Sequence, residues 1–175
     1  MIPFKKILCP IDFSQHSLRA LNVAAELTEH FKAEMLVIHV VTPVPLPYIP
    51  PPPMSPVAAP PTTLNIDEYQ EELKSNSMSK LKEVIRNRIH KKIPITPKVI
   101  LGHTSYEIVE TAKDSNADLI VISTHGHSGW KRFLFGSVAE KVVRMSSVPV
   151  LTIHPPEGEG PESEEDHTGD PSEES

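Results

Sequence analysis

The chain's 175 residues, 38% hydrophobic and 5% aromatic, suit one aliphatic-cored domain with a short appendage. The single cysteine, Cys9, excludes an internal disulfide and a cysteine-built zinc site, and no apolar run reaches the ~20 residues that span a bilayer. The net charge of −6 divides into a mildly basic body and an acidic tail, and such a body does not by itself indicate nucleic-acid binding.

The opening Met1-Ile2-Pro3-Phe4-Lys5-Lys6 has no apolar region or cleavage site of a signal peptide, so the expectation is a soluble cytoplasmic protein without membrane insertion. Lys5–Asp12 is a short apolar run and reads as a buried strand. Ser14 then suits the start of a helix whose apolar positions Leu18, Leu21, Ala25, Thr28 and Phe31 recur at three- and four-residue steps. Glu34–Val41 is a second buried strand. Between Pro43 and Pro61 lie 10 of the 19 prolines, so the segment from about Thr42 to Ile66 is neither helix nor central strand. A helix from about Asp67 to Lys91 follows, with a stripe of Met78, Leu81, Ile85 and Ile89. Ile95–Leu101 is a third strand, ending at Gly102.

Thr104-Ser105-Tyr106-Glu107 has the spacing of a capping box and opens a helix carrying Ile108, Val109 and Ala112. Ala117–Ser123 is a fourth strand. A loop with Gly126 and Gly129 leads to Gly136-Ser137, which open a helix with Val138, Val142 and Met145 on one face. Val148–Ile153 is the last strand. Residues 155–175 hold nine acids and no Lys or Arg, which leaves 14 acids against 17 bases in the body. Such a tail has almost nothing to bury and reads as disordered.

Strands that lack polar alternation are buried on both faces, and strands alternating with helices imply a parallel sheet. The expectation is therefore a doubly wound α/β domain with five parallel strands and helices on both faces. It covers residues 1–154, with the Pro-rich insertion at 42–66 and the tail at 155–175.

Ligands in such sheets sit beyond the carboxyl ends of the strands, where the strand order reverses. The richest sequence at that edge is Ser123-Thr124-His125-Gly126-His127-Ser128-Gly129, followed after six residues by Gly136-Ser137-Val138. Small residues let a ligand approach the backbone, and a helix start favours an anion, so phosphate is the natural guest. Asp12, at the end of strand one, would accept hydrogen bonds from ribose hydroxyls. Each feature also has a plainer reading. Ser137 with Glu140 has capping-box spacing, Gly126 and Gly129 serve turns, and Asp12 begins a helix entry. Neither a Walker A pattern nor a G-x-G-x-x-G motif follows strand one.

Lys6-Ile7-Leu8-Cys9-Pro10-Ile11-Asp12-Phe13-Ser14, His39-Val40, Ser123-Thr124-His125-Gly126, Gly136-Ser137-Val138-Ala139-Glu140-Lys141-Val142 and Pro149-Val150-Leu151 resemble the universal stress protein superfamily. The resemblance covers about residues 3–154 in the right order. It implies the strand order 3-2-1-4-5, with the reversal between strands one and four. Members of the ATP-binding branch carry G-x-x-G, nine residues, then G-[ST]. Here Gly126, nine residues and Gly136-Ser137 fit, and Ser123 replaces the first glycine. By resemblance, Asp12 takes the ribose hydroxyls. Pro10, Val40 and Ile122 frame adenine and ribose, Ser123 stands in the glycine motif, and Gly126, Gly136, Ser137 and Val138 hold the phosphates. The implied ligand is ATP, with magnesium. The implied assembly is a homodimer paired through the last strands.

The resemblance implies a nucleotide-dependent regulator of the stress response rather than a committed enzyme, with at most slow ATP hydrolysis. The alternative is an interaction module of the same fold that has lost its nucleotide and works through the Pro-rich insertion or the tail. A metal site at His125, His127 and His103 is disfavoured, because only Asp12 offers a companion carboxylate. Cys9 reads as an inert core thiol.

Overall fold

The computed structural model describes residues 4–42, 66–124 and 136–154. Along these the chain runs β1 (Lys6–Pro10), α1 (Gln15–Phe31), β2 (Glu34–Val41), α2 (Ile66–Arg88), β3 (Ile95–Leu101), α3 (Thr104–Asp114), β4 (Leu119–Ser123), α4 (Ser137–Met145) and β5 (Val150–Ile153). The strands form one sheet in the order β3-β2-β1-β4-β5, and all four neighbouring pairs are parallel. The chain winds outward from β1 to β3, then returns across α3 to β4 on the other side of β1. The reversal expected between strands one and four is therefore present.

Both sheet faces are covered, which is why β1, β2 and β4 read as apolar runs, whereas the outer strand β3 carries Thr96 and Lys98 in alternation with apolar residues and buries none of its residues fully. Ile7, Cys9, Met35, Val37, Leu119 and Val121 share one core with Leu18, Leu21 and Ala24 of α1 and Leu81 of α2. The alternate residues Leu8, Leu36, Ile38, Ile120 and Ile122 meet Ile108 and Ala112 of α3 and Ala139 and Val142 of α4 on the other face. Fully burying a Leu or Ile side chain contributes roughly 1.5–3 kcal/mol, so these two layers dominate the stability. Cys9 is fully buried, and burial pushes its thiol pKa up to about 12, which makes it a packing group.

Several boundaries differ from the expected ones. β1 ends at Pro10, so Ile11 and Asp12 leave the strand and form the turn into α1. Pro10 thus closes the strand, where a missing donor costs least. α2 ends at Arg88 rather than Lys91. The chain is drawn away there because Ile93 packs on the α1-side core and the Met35 amide donates to the Pro94 carbonyl at 2.9 Å. β4 begins at Leu119, because the Asp118 carboxylate turns to accept the Lys5 and Lys6 amides at 2.7 and 2.9 Å. β5 begins at Val150, since the Val148 amide is taken by Ser146 Oγ at 3.0 Å. Met145 does not join Val142 in the core and is 50% exposed. The Pro-rich segment from 43 to 65 and the tail from 155 lie outside the described residues.

Candidate functional site

The carboxyl ends of β1 and β4 open onto a cleft of about 300 Å³ at the reversal point. Pro10, Ile11 and Asp12 enter it from the end of β1, and Val40 from the end of β2. Ile122, Ser123 and Thr124 enter from β4, and Gly136, Ser137, Val138 and Ala139 from the start of α4. Eight of the nine residues singled out from the sequence therefore meet in one cavity; the ninth, Gly126, lies outside the described residues. Thr104 of α3, which falls in the stretch Gly102–Ser105 that follows strand three at the same sheet edge, also lines it, as do Ser17 of α1 and Ile108 of α3, which the sequence did not single out. A helical spacing shows which face of α3 is apolar, not that its first turn abuts the cleft.

The turn after β1 is tightly specified. The Ile11 amide donates to the Ile38 carbonyl at 2.9 Å, which carries the chain straight past the end of the sheet. Asp12 Oδ1 then accepts from the Ser14 amide at 3.0 Å and from Ser14 Oγ at 2.5 Å. The Asp12 amide donates to Ser17 Oγ at 3.3 Å. Ser14 caps α1 as expected, its Oγ accepting from the Ser17 amide at 3.2 Å. Asp12 thus serves the helix entry and also lines the cleft.

Neither expected capping box forms. The residues flanking the starts of α3 and α4 are His103 and Gly136, and neither gives a side-chain cap to its helix. Thr104 and Ser137 already lie inside the helices, one position too far along to act as the first partner of a box. The first amides of α4 therefore end at the cleft with the positive end of the helix dipole behind them, a partial charge of roughly half a unit. Gly136 has φ −67° and ψ 151°, an extended conformation open to any residue. Its glycine identity therefore provides room at the cleft wall rather than an unusual backbone.

His39, at the end of β2, lies beneath the Asp12 turn. Its Nδ1 is 2.8 Å from the Ile11 carbonyl, which can only accept, so Nδ1 carries the proton. Burial lowers the pKa of its ring, against the opposing effects of that hydrogen bond and of Asp12, while Lys80 adds to the lowering. On the β4 side, Thr124 is buried and Oγ1 lies 3.1 Å from His154 Nδ1, while its amide donates to the Ile153 carbonyl at 3.0 Å. The last strand is in this way fastened to the cleft floor. Among the described residues, no three His, Cys, Asp or Glu side chains group as a metal site, and no helix is long and apolar enough to cross a membrane. His125 and His127 lie outside the described residues.

A profile of the universal stress protein family matches residues 3–154. The chain belongs to that family. Universal stress protein MJ0531 of Methanocaldococcus jannaschii is 34% identical over 156 residues, covering 89% of this chain and 85% of that protein. The solved structure of hypothetical protein MJ0577, a universal stress protein of the same organism, superposes with a TM-score of 0.66 at 25% identity. That alignment covers 88% of this chain and 98% of that one. A solved universal stress protein in complex with cAMP has a TM-score of 0.59 at 20% identity, covering 87% and 98%, a likeness of fold alone. As a universal stress protein the chain falls among stress-response proteins that are generally not enzymes.

Proposed function

We propose that this universal stress protein binds an adenine nucleotide, ATP with magnesium, in the cleft between β1 and β4. The observation that carries the reading is that one cleft at the reversal point is lined by both apolar and polar groups. Pro10, Val40, Ile108 and Ile122 supply apolar surface that suits a purine and the carbon face of a ribose. Asp12, Ser123, Ser137 and the start of α4 up to Val138 supply polar groups and backbone amides that suit hydroxyls and phosphates. Gly126 completes the phosphate contacts by family resemblance. The cAMP held by a structural relative supports the nucleotide class.

The protein acts through nucleotide-dependent conformation or dimer contacts, in the cytoplasm, and turns ATP over slowly at most. Residues 1–154 are the binding unit and 155–175 an acidic appendage. Two copies pair through β5, the edge strand on the β4 side of the sheet. Calorimetric titration with ATP and magnesium tests the binding directly. A saturable heat is expected. No response in calorimetry or thermal shift would transfer the function to a nucleotide-free interaction module, which Ser123 at the place of the first motif glycine would explain.

A further inference from the structure

Three non-glycine residues of the described chain have positive φ: Phe13 at 65°, Lys32 at 53° and Asn116 at 52°. Lys32 and Asn116 follow the ends of α1 and α3, where such a conformation is routine. Phe13 is different. It precedes a helix, it is bulky and aromatic, and a left-handed backbone there persists only where the surroundings impose it.

The surroundings are on hand. The Phe13 ring lies 4.3 Å from the His39 ring, tilted by 42°. The ammonium of Lys80, an exposed residue of α2, sits 4.3 Å from the Phe13 ring centroid. His39 is itself anchored by its Nδ1–H to the Ile11 carbonyl at 2.8 Å. Both neighbours of Asp12 are therefore held, Ile11 by the imidazole and Phe13 by the imidazole and the ammonium. The left-handed turn at Phe13 brings Ser14 back so that its amide and hydroxyl meet Asp12 Oδ1 at 3.0 and 2.5 Å. An extended residue at position 13 would carry Ser14 away and release the carboxylate.

We propose that Phe13, held by His39 and Lys80, is a positioning residue that fixes the Asp12 carboxylate for the ribose hydroxyls of the bound nucleotide. The inference rests on the nucleotide reading above. It also gives α2 a role at a site it does not line, because Lys80 bears on the Phe13 ring beside Asp12.

The readout is the preference for ATP over 2′,3′-dideoxy-ATP, measured by calorimetry with magnesium. A charged acceptor for the ribose hydroxyls makes that preference about tenfold in the wild type. Asp12→Asn lowers it and serves as the reference. Phe13→Ala is expected to bring it below about threefold while leaving dideoxy-ATP affinity within about twofold. Lys80→Met is expected to lower it partly, and Lys80→Arg, which keeps a cation over the ring, to retain it. A Phe13→Ala protein that keeps the full preference, or that loses both nucleotides equally, overturns the proposal. If Phe13→Ala does not fold, Lys80→Met decides: an unchanged preference overturns the proposal. A wild type that binds neither nucleotide overturns the nucleotide reading itself. A wild type that binds both equally overturns only the ribose contact and its positioning.

Discussion

The Gly136 amide donates to the Thr124 carbonyl, tying the start of α4 to the residue after β4. This contact places the first amides of α4 at the cleft.

Gly136→Val tests that arrangement. The glycine's extended backbone accepts valine, so the fold survives with a loss of about 1 kcal/mol from the poorer residue at the helix start. The added side chain projects at the cleft wall. ATP affinity is expected to fall by about a hundredfold, corresponding to loss of close phosphate approach. Calorimetry beside a urea unfolding curve separates the two effects. Undiminished binding in a folded variant would remove the phosphates from this helix start.

His39 makes one contribution to the pH dependence of stability. Burial is the main cause of its lowered pKa, so the folded ring is neutral at pH values where the unfolded one begins to take a proton. The unfolded state binds more protons below the ordinary value of 6.5, and stability therefore falls as pH drops from there towards the lowered folded value. Above 6.5 the contribution is fully present and flat. Urea unfolding of the wild type and His39→Gln over a pH series checks this. The stability difference between the two should change only on the acid side, with the wild type losing more. An equal slope for both proteins would place the titration elsewhere.

Leu81 is the only fully buried residue of α2 and packs that helix on the α1-side core together with the partly buried Val84 and Ile85. Leu81→Ala should cost about 2–5 kcal/mol from lost transfer energy and the cavity left behind. Met78, one turn earlier in the same stripe, is only half-buried and should cost clearly less. Thermal unfolding of both variants orders the two positions. Equal losses would mean that α2 lies differently on the sheet.

The sheet was legible because both of its faces are covered. Runs such as Met35 to Ile38 are buried residue after residue, while the outer strand β3, with Thr96 and Lys98 inside it, is the less deeply buried one. Most of the cleft lining was legible too, since the residues that follow the strands in sequence gather at the reversal point. The misread parts depend on tertiary direction. Thr104 and Ser137 have capping-box spacing, but each helix begins one residue earlier than that spacing implies, with His103 and Gly136 the last residues outside it. Thr104 and Ile108 line the cleft because α3 lies beside α4. Phe13 carries no local sign of its left-handed backbone, which depends on His39 and Lys80, 26 and 67 positions away.

The edge position of β5 leads to the dimer prediction. Among the described residues no strand lies beyond Val150 to Ile153, so the outer side of β5 presents their backbone donors and acceptors. Pro149, which lacks a donor, precedes the strand and leaves those four residues able to pair. A two-fold axis would bring two such edges together antiparallel. Four-residue strands make too few hydrogen bonds to hold a dimer alone, so apolar burial must accompany them. Leu151, 37% exposed, stands on the α1 side of the edge, in register with Val121. Val143 and Met145 of α4, on the other side of the sheet, are 46% and 50% exposed. An apolar flank on each face of a bare edge is the composition of a covered interface. Sedimentation at micromolar concentration should show a wild-type dimer. Leu151→Lys should give a monomer, and Val143→Glu should weaken the dimer by about tenfold or more, the scale of one buried apolar contact. Thr124 and the start of α4 are untouched by either change, so both variants should still bind ATP. A wild type that sediments as a monomer would rule the β5 pairing out.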